Sequence, residues 1–211
     1  MAETHLIETT THGRYLVRPG SSRYLVGFHG YGQTAEIMLA DMEQIPGIGE
    51  WTLVSIQALN RFYGRNEEVA ACWMTRQDRE EAIADNILYV QRVMALFPGR
   101  SKTVFAGFSQ GVAMAWRAAA NVLCDGVVSL SGDVPPDITA PHLPPALLGR
   151  GSFENWYNEE KFKKDLSFLE GRSDVTPCVF RGGHEWTDEF RQAVGAFLDR
   201  FCVAPAPPPA G

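Results

Sequence analysis

A chain of 211 residues, 45% of them hydrophobic, is long enough to bury one sizeable core. Its formal net charge of −6, with no long lysine and arginine cluster, argues against a nucleic-acid surface. No window of about 18 apolar residues is present to insert stably in a membrane, and residues 1–10 lack the basic and apolar regions of a secretion signal.

The cysteines at 72, 124, 178 and 202 make no C-x-x-C pair and no disulfide framework. The expected setting is therefore soluble, reducing and cytoplasmic. Nothing in the middle of the chain reads as a linker, so one domain is expected over residues 1–203. Residues 204–211, Ala-Pro-Ala-Pro-Pro-Pro-Ala-Gly, are expected to be a disordered tail because they have almost nothing to bury.

In chain order, Arg14 to Val17 and the turn Pro19-Gly20-Ser21-Ser22 read as a hairpin leading into a first buried strand, Tyr24 to Phe28. A second buried strand is read at Trp51 to Ile56. Asp78-Arg79-Glu80-Glu81 then opens a helix as a capping box, with Asp78 as the cap. Its apolar stripe is Ile83, Ile87, Val90, Met94 and Phe97, and Pro98-Gly99 stops it. Strand Thr103 to Gly107 leads to an alanine-rich helix, Gln110 to Ala120. Strands follow at Gly126 to Leu130, Ala146 to Gly149 and Thr176 to Phe180. Helices are read at Glu159 to Leu169 and Thr187 to Phe201. The basic run Lys161-Phe162-Lys163-Lys164, preceded by two glutamates, reads as a solvated helix face. This alternation, with nearly continuous apolar strands, predicts a mostly parallel sheet covered by helices on both faces. Chemistry in such sheets sits beyond the carboxyl ends of the strands.

Gly107-Phe108-Ser109-Gln110-Gly111 lies where a strand turns into a helix. That context makes G-x-S-x-G mechanistic: a sharp turn exposes the serine, and strand and helix approach too closely for side chains at the glycines. A turn with an N-capping serine is the plainer alternative. At the helix start the N–H of Gln110 is free to point at an oxyanion. A serine nucleophile needs a base. Of the five histidines, His5 and His12 lie in a polar leader, and His142 sits in a stiff Pro-rich connection. His184, in Gly182-Gly183-His184-Glu185, follows the last strand, as the α/β-hydrolase chain order of nucleophile, acid, histidine requires. His29 comes too early for that order. It reads as structural, in a loop whose Tyr31 N–H is the second oxyanion donor.

Taken together, GFSQG after a strand, HGYG after the first buried strand, Leu130-Ser131-Gly132 and GGHE resemble the phospholipase/carboxylesterase family, which includes the acyl-protein thioesterases. The resemblance runs from about Tyr24 to Phe201. It implies an α/β-hydrolase fold without a large cap, and Ser-acid-His hydrolysis of esters or thioesters with no cofactor and no metal. It implies Ser109 as nucleophile, His184 as base, and the N–H groups of Tyr31 and Gln110 as the oxyanion hole.

The chain departs from the family pattern in two places. Val112 stands where GFSQGG has its last glycine. Where the family reads HG-x-x-D, this chain reads Arg150-Gly151-Ser152-Phe153-Glu154, so the resemblance implies Glu154 as the acid. Asp133, after the preceding strand, is a rival for that role. Asp174 reads as a surface turn residue. The resemblance also puts Trp73 and Met74 beside the acyl site, and Trp156, Tyr157 and Trp186 flank the acid and base loops. Plain packing is the equal alternative for each. Arg61, Arg65 and Arg76 are cations that could meet a substrate carboxylate or phosphate.

The expected reaction is hydrolysis of short to medium acyl esters. Thioesterase or lysophospholipase activity is the nearest alternative, and a non-catalytic binding protein is the distant one. The expected partner is a small-molecule ester or thioester, and a homodimer is compatible with the sequence.

Overall fold

The computed structural model describes residues 2–202, so the tail expected at 204–211 lies outside the described residues. The chain forms β1 (Arg14–Arg18), β2 (Arg23–Phe28), α1 (Ala35–Glu43), β3 (Thr52–Gln57), β4 (Asn60–Tyr63), β5 (Val69–Cys72), α2 (Arg79–Ala95), β6 (Lys102–Phe108) and α3 (Gln110–Asn121). It continues with β7 (Gly126–Leu130), β8 (Ala146–Gly151), α4 (Glu159–Leu169), β9 (Val175–Phe180) and α5 (Asp188–Asp199). A seven-stranded sheet runs β1-β3-β2-β6-β7-β8-β9, and β4 and β5 make a separate two-stranded ribbon. Only β1 is antiparallel within the large sheet.

Alternate strand residues feed opposite faces, as a two-residue period requires. Val26, Val54, Phe105, Val127 and Leu148 meet α2, α3 and α4 on one side. Leu25, Leu53, Val104, Val128 and Leu147 meet α1 and α5 on the other. Both faces are covered, which explains the near-continuous apolar strands. This is an α/β-hydrolase fold, and the described residues contain no large cap. Among them no helix is long and apolar enough to cross a membrane.

Two local expectations fail. β1 and β2 do not pair as a hairpin: β1 pairs antiparallel with β3, which lies between them. The 19–22 loop instead ties to the start of β3, with Gly20 N–H donating to Thr52 Oγ1 at 2.9 Å and Ser21 N–H to the Glu50 carbonyl at 2.8 Å. Nor does Asp78 close a capping box. Its backbone is left-handed (φ 47°, ψ 46°) and its side chain makes no cap bond, so the α2 start relies on the dipole match of Glu80 and Glu81.

The tightest contact in the sheet–helix packing is at α3. A Cβ on Gly111 would lie 2.0 Å from the Phe28 carbonyl oxygen, and one on Gly107 would lie 2.5 Å from the Gly111 carbonyl oxygen. Neither neighbour is a flexible side chain, so neither can give way. We predict that Gly111→Ala destabilises the protein by about 3 kcal/mol, the upper end of overpacking costs. Urea unfolding checks this, and a midpoint equal to wild type would contradict it.

Candidate active site

Tyr31, Ser109, Gln110 and His184, which follow the carboxyl ends of β2, β6 and β9, line one cavity of about 520 Å³. The strand order reverses between β2 and β6, which is where ligands bind in open α/β sheets. Ser109 caps α3 with φ 53° and ψ −119°, a left-handed backbone that a side chain adopts only under strain. Its N–H is held by the Leu130 carbonyl at 2.8 Å. Ser109 lines the cavity together with His184, Gln110 and Tyr31. Among the described residues no hydrogen bond joins Ser109 to His184; such bonds commonly tighten only when substrate binds.

His184 and Glu154 are joined. Nδ1 of His184 lies 2.7 Å from Oε2 of Glu154. The other carboxylate oxygen, Oε1, accepts the N–H groups of Trp156 at 2.7 Å and Tyr157 at 3.3 Å. Burial pushes the Glu154 carboxyl up, but the Trp156 N–H, the His184 ring and the Tyr157 N–H together bring it below its ordinary value of 4.5. An ionised carboxylate only accepts, so Nδ1 of His184 is the donor in this bond, which selects the tautomer of the neutral ring that has its lone pair on Nε2. The loops that carry Glu154 and His184 are bound edge to edge: Ser152 N–H donates to the Phe180 carbonyl at 2.8 Å and Phe153 N–H to that of Gly182 at 2.9 Å. The ring of Phe108 lies 4.9 Å from that of His184 and limits its rotation.

Among the described residues Asp133 makes no hydrogen bond to that imidazole. It is exposed, with Oδ2 3.2 Å from Lys161 Nζ. Lys161 itself lines the cavity, so the basic run on α4 is more than a solvated face. Asp174 pairs with Arg200 at 2.7 Å on the surface.

The pocket candidates divide. Met74, Trp156 and Tyr157 line the cavity. Trp73 and Trp186 do not. Trp73 is fully buried, its indole N–H donating to the His29 carbonyl at 2.8 Å. Trp186 packs in the core with ring centroids 5.5 Å from Phe190. Both were expected beside substrate; both are drawn inward because their large apolar rings complete the core. Arg61 donates to the His12 carbonyl at 3.0 Å, and none of Arg61, Arg65 and Arg76 reaches the cavity. Arg79 does, as do Ser131, Val134, Pro135 and Pro136. These were missed because nothing local in the sequence marks a loop that folds over a distant serine.

His29 is buried and structural. The Ala58 N–H donates to its Nε2 at 3.0 Å, so the proton sits on Nδ1, which faces the Gly30 carbonyl at 2.7 Å. Burial holds its pKa below the ordinary 6.5, against the opposing Gly30 carbonyl and Glu36. Among the described residues no three His, Cys, Asp or Glu side chains gather as metal ligands would.

Neither a protein-family model nor a curated protein matches this sequence. Solved structures do match the fold. Maize acyl-protein thioesterase 2 aligns with TM-score 0.73 and 20% identity, over 90% of this chain and 99% of its own. A carboxylesterase from Mesorhizobium loti aligns with TM-score 0.75 and 16% identity, over 89% and 94%. A phospholipase/carboxylesterase from Dyadobacter fermentans gives 0.69 and 18%, over 90% and 98%. The chain therefore has the α/β-hydrolase fold in the form built by small carboxylesterases and thioesterases.

The His29 geometry sets a pH dependence. Because its pKa is lowered on folding, its contribution to stability is present above pH 6.5 and is lost as pH falls below that value. The expected NMR result is a His29 titration midpoint below 6.5 in the folded protein, with a neutral, Nδ1-protonated ring at pH 7. A ring already half-protonated at pH 6.5 in the folded protein would contradict it.

Proposed function

We propose that this protein is a serine hydrolase of carboxylic esters, with Ser109 as nucleophile, His184 as base, Glu154 as acid, and the Tyr31 and Gln110 N–H groups as the oxyanion hole. The observation that carries the reading is the 2.7 Å bond between His184 Nδ1 and a buried carboxylate, in a cavity that also receives Ser109. A carboxylate at Nδ1 fixes the tautomer that leaves Nε2 basic, and it stabilises the imidazolium formed in the reaction.

In the first half-reaction His184 Nε2 takes the Ser109 proton while Oγ bonds to the ester carbonyl carbon. The carbonyl oxygen becomes an oxyanion that Tyr31 and Gln110 N–H stabilise; one such donor is typically worth about 3 kcal/mol in the transition state. The C–O bond to the leaving group then breaks, and His184 returns the proton to the departing alcohol. In the second half-reaction water repeats the attack on the acyl-enzyme, with His184 as base and Ser109 as leaving group.

The cavity supports short to medium acyl chains. Met74, Ala113, Val134 and Tyr157 share its lining with the charged Arg79, Asp133 and Lys161. Burying a long alkyl chain among those charges would cost desolvation. The maize neighbour is a thioesterase, and the same residues would cleave a thioester.

Folded wild type is expected to be labelled at Ser109 by a fluorophosphonate probe, with labelling lost in His184→Ala. Absence of labelling in wild type would leave a ligand-binding protein as the reading. Glu154→Gln is expected to lower kcat by about four orders of magnitude, while Asp133→Asn stays within about threefold, the scale of an exposed ion pair. The reverse ranking on p-nitrophenyl butyrate would move the acid to Asp133.

A further inference from the structure

We infer that Trp73 is a positioning residue that holds the two oxyanion donors in one frame. The inference rests on the serine-hydrolase reading above. Tyr31 and Gln110 come from different elements, the loop after β2 and the first turn of α3. Their N–H groups can converge on one oxygen only if something fixes the loop against the helix.

Trp73 bonds to both. On the loop side its indole N–H donates to the His29 carbonyl at 2.8 Å, two residues before Tyr31. Its ring lies 5.3 Å from the His29 ring and 5.5 Å from that of Phe28. On the helix side its backbone N–H donates to Gln110 Oε1 at 2.8 Å, and Gln110 Nε2 donates to the Met74 carbonyl at 2.9 Å. The Gln110 side chain is thus a two-bond clamp on the residue pair 73–74. The same segment grips the far end of the loop: Gly32 N–H donates to the Ala71 carbonyl at 2.9 Å, and Ala71 N–H to that of Gln33 at 3.2 Å. Asn86 on α2, also buried, donates to the Trp73 carbonyl at 2.8 Å and fixes Trp73 from behind.

Trp73 is fully buried and does not line the cavity, so it cannot act through substrate contact. Its route to the chemistry is the spacing of the two N–H groups. A misplacement of about 1 Å in such a group can cost about a hundredfold in rate.

The test compares Trp73→Phe with Trp116→Phe. Trp116 is equally buried and also makes one indole hydrogen bond, to Ser129 Oγ at 2.8 Å, away from the cavity. On p-nitrophenyl butyrate, Trp73→Phe is expected to lower kcat by at least about tenfold with KM within about twofold. Its affinity for an arylboronic acid, which mimics the tetrahedral intermediate on Ser109, should fall by the same factor. Trp116→Phe should leave kcat within about twofold of wild type while losing comparable thermal stability. Gln110→Met removes the clamp from the other side; it should reproduce the kcat loss, and it decides the matter if Trp73→Phe does not fold. Equal losses in both tryptophan variants, or a Trp73→Phe effect confined to KM, overturn the inference. A wild type that neither turns over nor is labelled sinks the hydrolase reading and this inference together. An active wild type matched by Trp73→Phe sinks this inference alone.

Discussion

The start of α3 packs against β2 with backbone touching backbone. The missing side chain at Gly111 lets the helix settle onto the carbonyl of Phe28, where any Cβ would sit at 2.0 Å. That closeness leaves the chain one residue in which to turn from β6 into α3, and the residue is Ser109, forced to φ 53°. The strain has a direction. It places Ser109 at the cavity and leaves the next N–H, that of Gln110, at a helix start where no carbonyl precedes it to accept. Serine at the cavity, free donor and obligatory glycines are therefore one steric solution with several consequences.

The Glu154–His184 pair is built by a different means. Glu154 sits in a buried site that disfavours its charge, yet its carboxyl is held below the ordinary value because Trp156 N–H, the imidazole and Tyr157 N–H all converge on it. Oε1 is given over to the backbone and Oε2 to His184. Dividing the two oxygens this way orients the carboxylate and leaves little freedom for a second arrangement. Asp133 stands in the opposite condition: exposed, paired with a half-exposed lysine, and without backbone donors. Two carboxylates near one cavity thus differ because one is anchored by the main chain and the other is not.

Legibility in the sequence followed the range of the interaction. The parallel sheet, the order of its strands' chemistry and the sites of Ser109 and His184 are written in short motifs with fixed neighbours. The position of Glu154 is legible only through resemblance, since nothing local marks a glutamate as a histidine partner. The β1–β2 hairpin was misread because pairing is decided across the sheet: a turn of Pro19-Gly20 suits a hairpin, but β3 inserts between the strands. Helix α1 was not anticipated, being short, with buried Ala35, Met38 and Met42 on a single stripe. Trp73 reads as a pocket residue because aromatic residues near a site look alike in sequence, whether they line a cavity or hold the scaffold. The difference lies in which carbonyl the indole N–H finds, and that partner, on His29, is 44 residues away.

The far wall of the cavity is organised around another buried carboxylate. Asp165 on α4 accepts the Val134 N–H at 2.9 Å and the Tyr157 hydroxyl at 2.8 Å on the same oxygen, and both donors belong to cavity-lining residues. Burial raises its carboxyl to about 6, with the two hydrogen bonds opposing. Asp165 thereby pins the loop after β7 to the loop after β8, much as Trp73 pins the loop after β2 to α3. The Tyr31 and Gln110 part of the lining and the Val134 and Tyr157 part are thus held by separate buried residues, Trp73 and Asp165, neither of which lines the cavity. The start of the 131–136 loop is tied to Ser109 as well, through the Ser109 N–H to Leu130 carbonyl bond of 2.8 Å and the Ser131 N–H to Gly149 carbonyl bond of 2.9 Å, so it is the stretch from Val134 onward, anchored on Asp165, that is held apart from Ser109.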